Sequence, residues 1–423
     1  VGIVGGGLAG VACAWLLDGV ADAVLFESRS EIGGHAHTLP VDVNGRTLLV
    51  DVGAQFFARG PHPTYSKLLE LIGLGGPDVT LESEMTITVT EAGRKLPRFV
   101  SPNAARFWPI LAPWNFEALL AFFFFVLAAK SLTQTGDWLL PLDRWLATLP
   151  VSPEVRENLL LPLVSAMVGC SIDEARGLSA RSAVLFVGQA VPDNLLAPIL
   201  YNNSRVGLGG NVRYLAGLSG NLTTHKGALV RSVHPLPHGA FAIRNAAGVA
   251  ETVDVVIFAT PPYVTRTLLP QTQLLRETRA ILRGFEYFRT EIAIHRDPVY
   301  MPSDPALWSA YNARIEGGFS EASVWYGALR GDSTLSIFKS WATARSRAPR
   351  KELFRRTFLH PRVTPEFIEA GRLLSLRQGL GGIWFAGSYT GEVDSQETAL
   401  RSAMNVVREL VPDAPNLLAL EGS

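Results

Sequence analysis

Two short apolar runs, residues 2–4 and 23–26, flank residues 8–17, where apolar positions recur at helical spacing. Short continuous apolar runs read as strands buried in a parallel sheet, so this opening predicts one βαβ unit. Apolar and polar residues then alternate at 38–43 and 46–50 around Asn44-Gly45, the signature of a hairpin closed by a tight turn. From 63 to about 187 the period changes: Trp, Phe and Leu recur every three or four positions between prolines, which predicts a mainly helical insertion. Leu208-Gly209-Gly210 precedes an amphipathic helix, and strand patterns return at 222–224, 228–233 and 240–244. The run Asp254-Val255-Val256-Ile257-Phe258-Ala259-Thr260 has the unbroken apolar character of a central parallel strand. Residues 286–295 alternate again, 383–385 read as a last buried strand, and 397–410 as a closing helix.

Composition narrows the class. A chain of 423 residues is long for one core and implies two domains or one with a large insertion. With 38 basic and 38 acidic residues it has no global field to steer it to nucleic acid, so no such partner is expected. Cys13 and Cys170 show no metal-ligand or redox spacing and read as packed thiols in a reducing compartment. The first residues already form a strand with no leader pattern before them, so a cytoplasmic location is expected. The longest apolar stretch, 118–129, has twelve residues. A bilayer span needs about 20, so a buried or interfacial helix is predicted instead.

The first candidate chemistry lies in the turn after the first strand. Gly5-Gly6-Gly7-Leu8-Ala9-Gly10 fits G-x-G-x-x-G between a strand and a helix, and Glu27 ends the next strand. Gly5 permits the tight turn, Gly7 admits a pyrophosphate to the backbone, and Gly10 lets the helix approach the sheet with its amides facing the phosphates. Glu27 is placed to accept from ribose hydroxyls, and its charge disfavours a 2′-phosphate. These residues predict a dinucleotide site that suits NAD or FAD.

The continuation Glu27-Ser28-Arg29-Ser30-Glu31-Ile32-Gly33-Gly34 reads E-x-R-x-x-x-G-G and resembles the N-terminal motif of the flavin amine oxidase and phytoene desaturase superfamily. The resemblance implies FAD, held noncovalently because no Cys or His stands where relatives attach flavin. It implies an α/β fold: a Rossmann-like FAD-binding domain (GR2-type, parallel sheet) with an inserted mixed α+β substrate domain. The FAD domain would comprise 1–62, 205–275 and 376–423, and the substrate domain 63–204 and 276–375. Leu8, Ala9, Ser28, Arg29, Gly33 and Gly34 would lie along ribose and pyrophosphate, and Gly53 and Ala54 beside the isoalloxazine. Val230 would meet the adenine, Gly387 and Ser388 the ribityl chain, and a helix opened by Thr398 and Ala399 the flavin pyrimidine. The runs 33–38, 208–214 and 387–391 are similar to a bacterial branch of amine oxidase-like proteins often encoded beside lipid-modifying enzymes.

Three positions depart from that superfamily. His35 stands where Arg is usual, Ser388 where an acid is usual, and Thr290 where many members carry a lysine near flavin N5. His35 and His37 lack further metal ligands and read as loop contacts to FAD, with no metal expected. Gln55 and Tyr389 are candidates for the substrate pocket, together with Thr290. No side chain offers itself as a catalytic acid, base or nucleophile, because a flavin carries the redox chemistry itself. The aromatic excess between Phe107 and Ala129 predicts a helix that guards access for a hydrophobic or lipid substrate and makes peripheral membrane contact. The expected activity is FAD-dependent hydride abstraction from such a substrate, a fatty acyl chain or isoprenoid. The alternatives are a double-bond isomerase, an amine oxidase and a non-enzymatic FAD-binding accessory protein.

Overall fold

Two sheets of opposite character organise the chain in the computed structural model, which describes residues 1–194 and 197–422. The first has five parallel strands in the order Ile383–Phe385, Val256–Phe258, Gly2–Val4, Ala23–Phe26 and Leu222–His225. Ile3, Leu25 and Ile257 are fully buried, which explains apolar runs without alternation. Eight of the nine residues of the helix Leu8–Leu16 are buried, since it is enclosed by the sheet and the helices Leu208–Gly217 and Gln396–Leu410. Gly10 makes that approach possible: a Cβ there would stand 2.0 Å from the Gly5 carbonyl oxygen.

The hairpin Thr38–Val43 and Arg46–Asp51 turns on Asn44 and Gly45, both at positive φ. Its last residue does more than end a strand. Asp51 Oδ1 accepts from Thr38 Oγ1 at 2.6 Å and from the Leu208 amide at 2.9 Å. It thereby caps the helix Leu208–Gly217, so Leu208-Gly209-Gly210 form that helix's first turn instead of preceding it.

The second sheet has seven strands, ordered Glu352–Pro361, Tyr287–His295, Phe338–Trp341, Phe319–Trp325, Tyr311–Glu316, Ile87–Glu91 and Phe99–Val100. It is antiparallel except where Tyr311–Glu316 meets Ile87–Glu91. The helical reading of 63–187 is corrected here, because Thr80–Glu84, Ile87–Glu91 and Phe99–Val100 are strands. Their alternation, with Val89 inward, is real but short beside the surrounding helical spacing. A helix at Pro415–Glu421, packed against Leu8–Leu16, also went unpredicted.

The apolar stretch 118–129 belongs to a helix of 23 residues, Pro113–Thr135. At 1.5 Å per residue it is about 35 Å long, so shortness no longer argues against a bilayer span. What holds it to the protein is one packed face. Ala121, Phe125, Val126 and Ala129 are buried against the helix Ala180–Ala190 and the strand Phe99–Val100. A Cβ on Gly188 would come within 2.6 Å of the Ala129 carbonyl oxygen, so glycine sets the spacing of the two helices. The opposite face stays open: Phe116 is 65% exposed, and just upstream Phe107 is 63% and Leu111 72% exposed.

Candidate active site

One cavity of about 1380 Å³ runs from the Gly5–Gly7 turn to the long helix Pro113–Thr135. That exceeds the ~300–1,000 Å³ of single-ligand pockets and leaves room for a cofactor and a substrate together. Its two ends differ in chemistry.

The first end is walled by backbone. Gly5 sits at φ +115°, and Gly7 pairs with Gly33 as an isolated parallel bridge. No side chain caps the helix Leu8–Leu16, and Gly7, Leu8 and Ala9 line the cavity, so the helix N-terminus is open to an anion. The buried Glu27 accepts from the amides of Gly6 at 2.8 Å and Arg29 at 2.9 Å, and from Ser28 Oγ at 3.1 Å. Of about four lone-pair sites on a carboxylate, one is left for a hydroxyl. Ser28, Arg29, Gly34, Leu229 and Val230 continue the wall. An open helix terminus for a pyrophosphate beside a buried acceptor for ribose is what FAD requires, and the residues present fit it.

Further along, His35, Gly387 and Ser388 line the cavity with two residues the sequence did not mark, His360 and Asp394. Ser388 Oγ donates to Asp394 Oδ1 at 2.6 Å, and Asp394 Oδ2 lies 3.8 Å from His360 Nδ1. Ser388 thus stands beside a carboxylate that comes six residues later and also lines the cavity. Burial works against the charge of Asp394, yet His360, His35 and the Ser388 hydroxyl hold its carboxyl below the usual range. Burial, aided by His360, pushes the His35 imidazole down, so His35 brings no arginine-like charge to the phosphates. Asp394 left no signal because its partner His360 comes from a strand of the other sheet.

The helix Gln396–Leu410 begins earlier than expected. Ser395 is its N-cap and occupies the Thr398 amide at 3.1 Å, while the Ala399 amide is bonded to the Ser395 carbonyl. Ser395, Gln396 and Ala399 line the cavity and Thr398 does not, so the expectation for Thr398 is corrected.

At the middle of the cavity Gly53 packs so closely that a Cβ would stand 1.9 Å from the His35 carbonyl oxygen, and the Ala54 amide bonds that same oxygen. Gln55 lines the cavity, and among the described residues neither polar atom of its buried amide has a hydrogen-bond partner. Tyr389 also lines it, but its hydroxyl donates to the Phe258 carbonyl and its ring packs edge-on against Phe285. Thr290 is fully buried, donates to the Gly169 carbonyl and does not reach the cavity.

A lysine is nonetheless present. Lys339, on the adjacent strand, lines the cavity and donates through Nζ to the Gly53 carbonyl. Position 290 carries no lysine, and this one, which the sequence did not mark, reaches the cavity from another strand. Burial pushes the Lys339 ammonium down and the Asp51 carboxyl up.

The second end is apolar. Leu119, Phe122 and Val126 of the long helix face Leu163, Met167 and Phe186 across it. Its margin includes Ile110 and Phe123, which are also exposed on the outer surface. Cys13 and Cys170 lie outside the cavity, and burial pushes both thiols up to about 12. Among the described residues no group of three or more His, Cys, Asp or Glu could hold a metal.

Residues 8–288 match the family described as flavin containing amine oxidoreductase. Three solved structures align over 97% of this chain and 98% of their own. One is a protein assigned as a protoporphyrinogen oxidase from Exiguobacterium sp. 255-15, 15% identical with a TM-score of 0.67. Another is putrescine oxidase bound to putrescine, 16% identical with a TM-score of 0.66. The third is a CLA-producing fatty acid isomerase from P. acnes, 15% identical with a TM-score of 0.65. At these identities the likeness shows the shared fold alone. No curated protein matches the chain.

Proposed function

The chain belongs to the flavin-containing amine oxidoreductase family, with FAD as its cofactor, and on that premise we propose that it abstracts hydride from a hydrophobic substrate. A fatty acyl or isoprenoid chain is the substrate class. The observation that carries this reading is the single cavity that joins the glycine-walled end to the apolar end beneath the long helix. Bound FAD, held noncovalently, supplies the hydride acceptor. The protein's own residues bind, orient and exclude water. Leu119, Phe122, Val126 and Met167 offer a hydrocarbon chain a dry channel with few polar competitors.

The exposed Phe107, Leu111 and Phe116 beside the cavity margin support delivery from a membrane surface by a protein that otherwise resides in the cytoplasm. Liposome flotation tests this part: wild type is expected to float, and Phe116→Ser with Phe123→Ser to remain in the dense fraction while still folded. Equal behaviour of both would sink it.

Anaerobic mixing of the FAD-loaded protein with fatty acids, isoprenoids and amines tests the chemistry. Lasting loss of the flavin absorbance on adding a lipid is the expected result. Transient loss with recovery favours a double-bond isomerase, the second reading, which the fold shared with a fatty acid isomerase supports. Bleaching by amines alone, or silence with every substrate class, overturns the lipid reading in favour of an amine oxidase or an accessory role.

A further inference from the structure

Resting on the proposed hydride chemistry, we propose that Lys339 is the positioning residue that keeps the middle of the cavity positive and so raises the reduction potential of the bound flavin. Glu27 would hold a ribose of bound FAD and the open terminus of Leu8–Leu16 its pyrophosphate, and from there the cavity continues past Gly53 and Ala54. Lys339 stands at that point, where the polar wall gives way to the apolar one. Its Nζ holds the Gly53 carbonyl on one side and lies 5.4 Å from the Trp341 ring on the other.

Among the described residues lining the cavity Lys339 is the only lysine, and the only other side chain with a fixed positive charge is Arg29, near the ribose. Lys339 is 2% exposed and, among the described residues, forms no ion pair within 4.0 Å. An ammonium has three donors, and the Gly53 carbonyl takes one. If the only task were to satisfy that carbonyl, a neutral donor would serve without the cost of burying a charge. A buried cation is instead suited to a site into which negative charge is delivered, and hydride brings one negative charge per turnover. A positive group beside the ring favours that delivery.

The titratable groups that face it include one acid. Asp51, whose carboxylate accepts from Thr38 and the Leu208 amide, attracts the Lys339 ammonium and works against the burial that pushes its pKa down. Tyr326 bonds the Asp51 backbone, and Arg330 donates to the Leu49 carbonyl. His295, on the neighbouring strand, is bonded to Ser340, which alternates to the face opposite Lys339. His35, across the Gly53 loop, is held neutral by burial.

The midpoint potential of the FAD-loaded protein, measured by dye equilibration under anaerobic conditions, tests the proposal without any substrate. Lys339→Met is expected to load FAD with an intact flavin spectrum and to shift the two-electron equilibrium at least tenfold toward the oxidised form, about 30 mV. Lys339→Arg should match the wild-type value at acid pH and exceed it from neutral pH upward, where the buried lysine, its pKa pushed down to about 7, loses its proton and arginine does not. A loaded, folded Lys339→Met protein with the wild-type potential overturns the proposal. Should that variant fail to fold, Lys339→Arg decides alone: a profile identical to wild type at every pH overturns it. A wild-type chain that takes up no FAD sinks the functional reading itself before any lysine is changed, whereas a lipid-inert protein with the expected potentials sinks only the substrate class.

Discussion

The two ends of the cavity are built by different means. At the cofactor end the contacts come from backbone amides and glycines, and a few adjacent residues do most of the work: positions 5 to 10 and 27 to 34. At the substrate end the wall is made of side chains from the long helix, the helical segment around Leu163 and Met167, and strands of the second sheet. A backbone site is exacting: a Cβ added at Gly5 or Gly10 would stand 2.5 Å or 2.0 Å from a carbonyl oxygen. A side-chain wall of apolar groups tolerates exchange as long as volume is kept. Such an arrangement lets one cofactor be kept while the substrate wall changes.

The largest effect should come from the buried face of the long helix. Phe125 is fully buried between Phe122 and Trp145. Phe125→Ala should cost about 3–5 kcal/mol in chemical denaturation. If the ends are as separate as proposed, FAD affinity of the folded fraction will be unchanged; a parallel loss would break the comparison.

Next in size is Gly10→Ala, whose Cβ would meet the Gly5 carbonyl at 2.0 Å. FAD affinity, followed by quenching of flavin fluorescence on titration into the apoprotein, is expected to fall at least a hundredfold, about 2.7 kcal/mol. Glu27→Gln should be milder, roughly tenfold or about 1.4 kcal/mol, because the amide keeps one acceptor while setting its NH₂ against a backbone donor. Neither change should alter liposome binding.

Two smaller tests sharpen the contrast. Phe116→Ser on the open face should shift stability by no more than about 0.5 kcal/mol, in contrast to Phe125→Ala on the same helix. The pH dependence should expose the buried lysine. Its folded pKa is lowered by burial, whereas the unfolded chain keeps its proton up to about 10.4. Between those values the unfolded state binds more protons, so the Lys339 contribution to stability rises with pH across that window and is lost as pH falls through it. Lys339→Met should flatten this slope in urea melts; an unchanged slope would mean that the lysine titrates normally.

Much of the cofactor end was legible in the sequence. The glycine run, Glu27 and the apolar strands at 2–4, 23–26, 256–258 and 383–385 are local signals, because a strand buried on both faces is apolar throughout and a helix packed as closely on its preceding turn as Gly10 is on Gly5 has no room for a Cβ there. The hairpin at Asn44-Gly45 was local in the same sense. What failed were the readings of where single side chains and amides point. Thr290 is taken up by the Gly169 carbonyl 121 positions away, the Thr398 amide is taken by its near neighbour Ser395, and Asp394 meets Ser388 locally but His360 only across the fold.

The sequence by itself determined that the chain holds a dinucleotide on a parallel sheet, since that chemistry is carried by the backbone over a few consecutive residues. Only the tertiary structure decided which side chains meet the ring end and what lies beyond it. Lys339 reaches Gly53 across 286 positions because two strands of one sheet and a loop of the other segment converge there. Side-chain function at such a point depends on distances in space that no local spacing encodes.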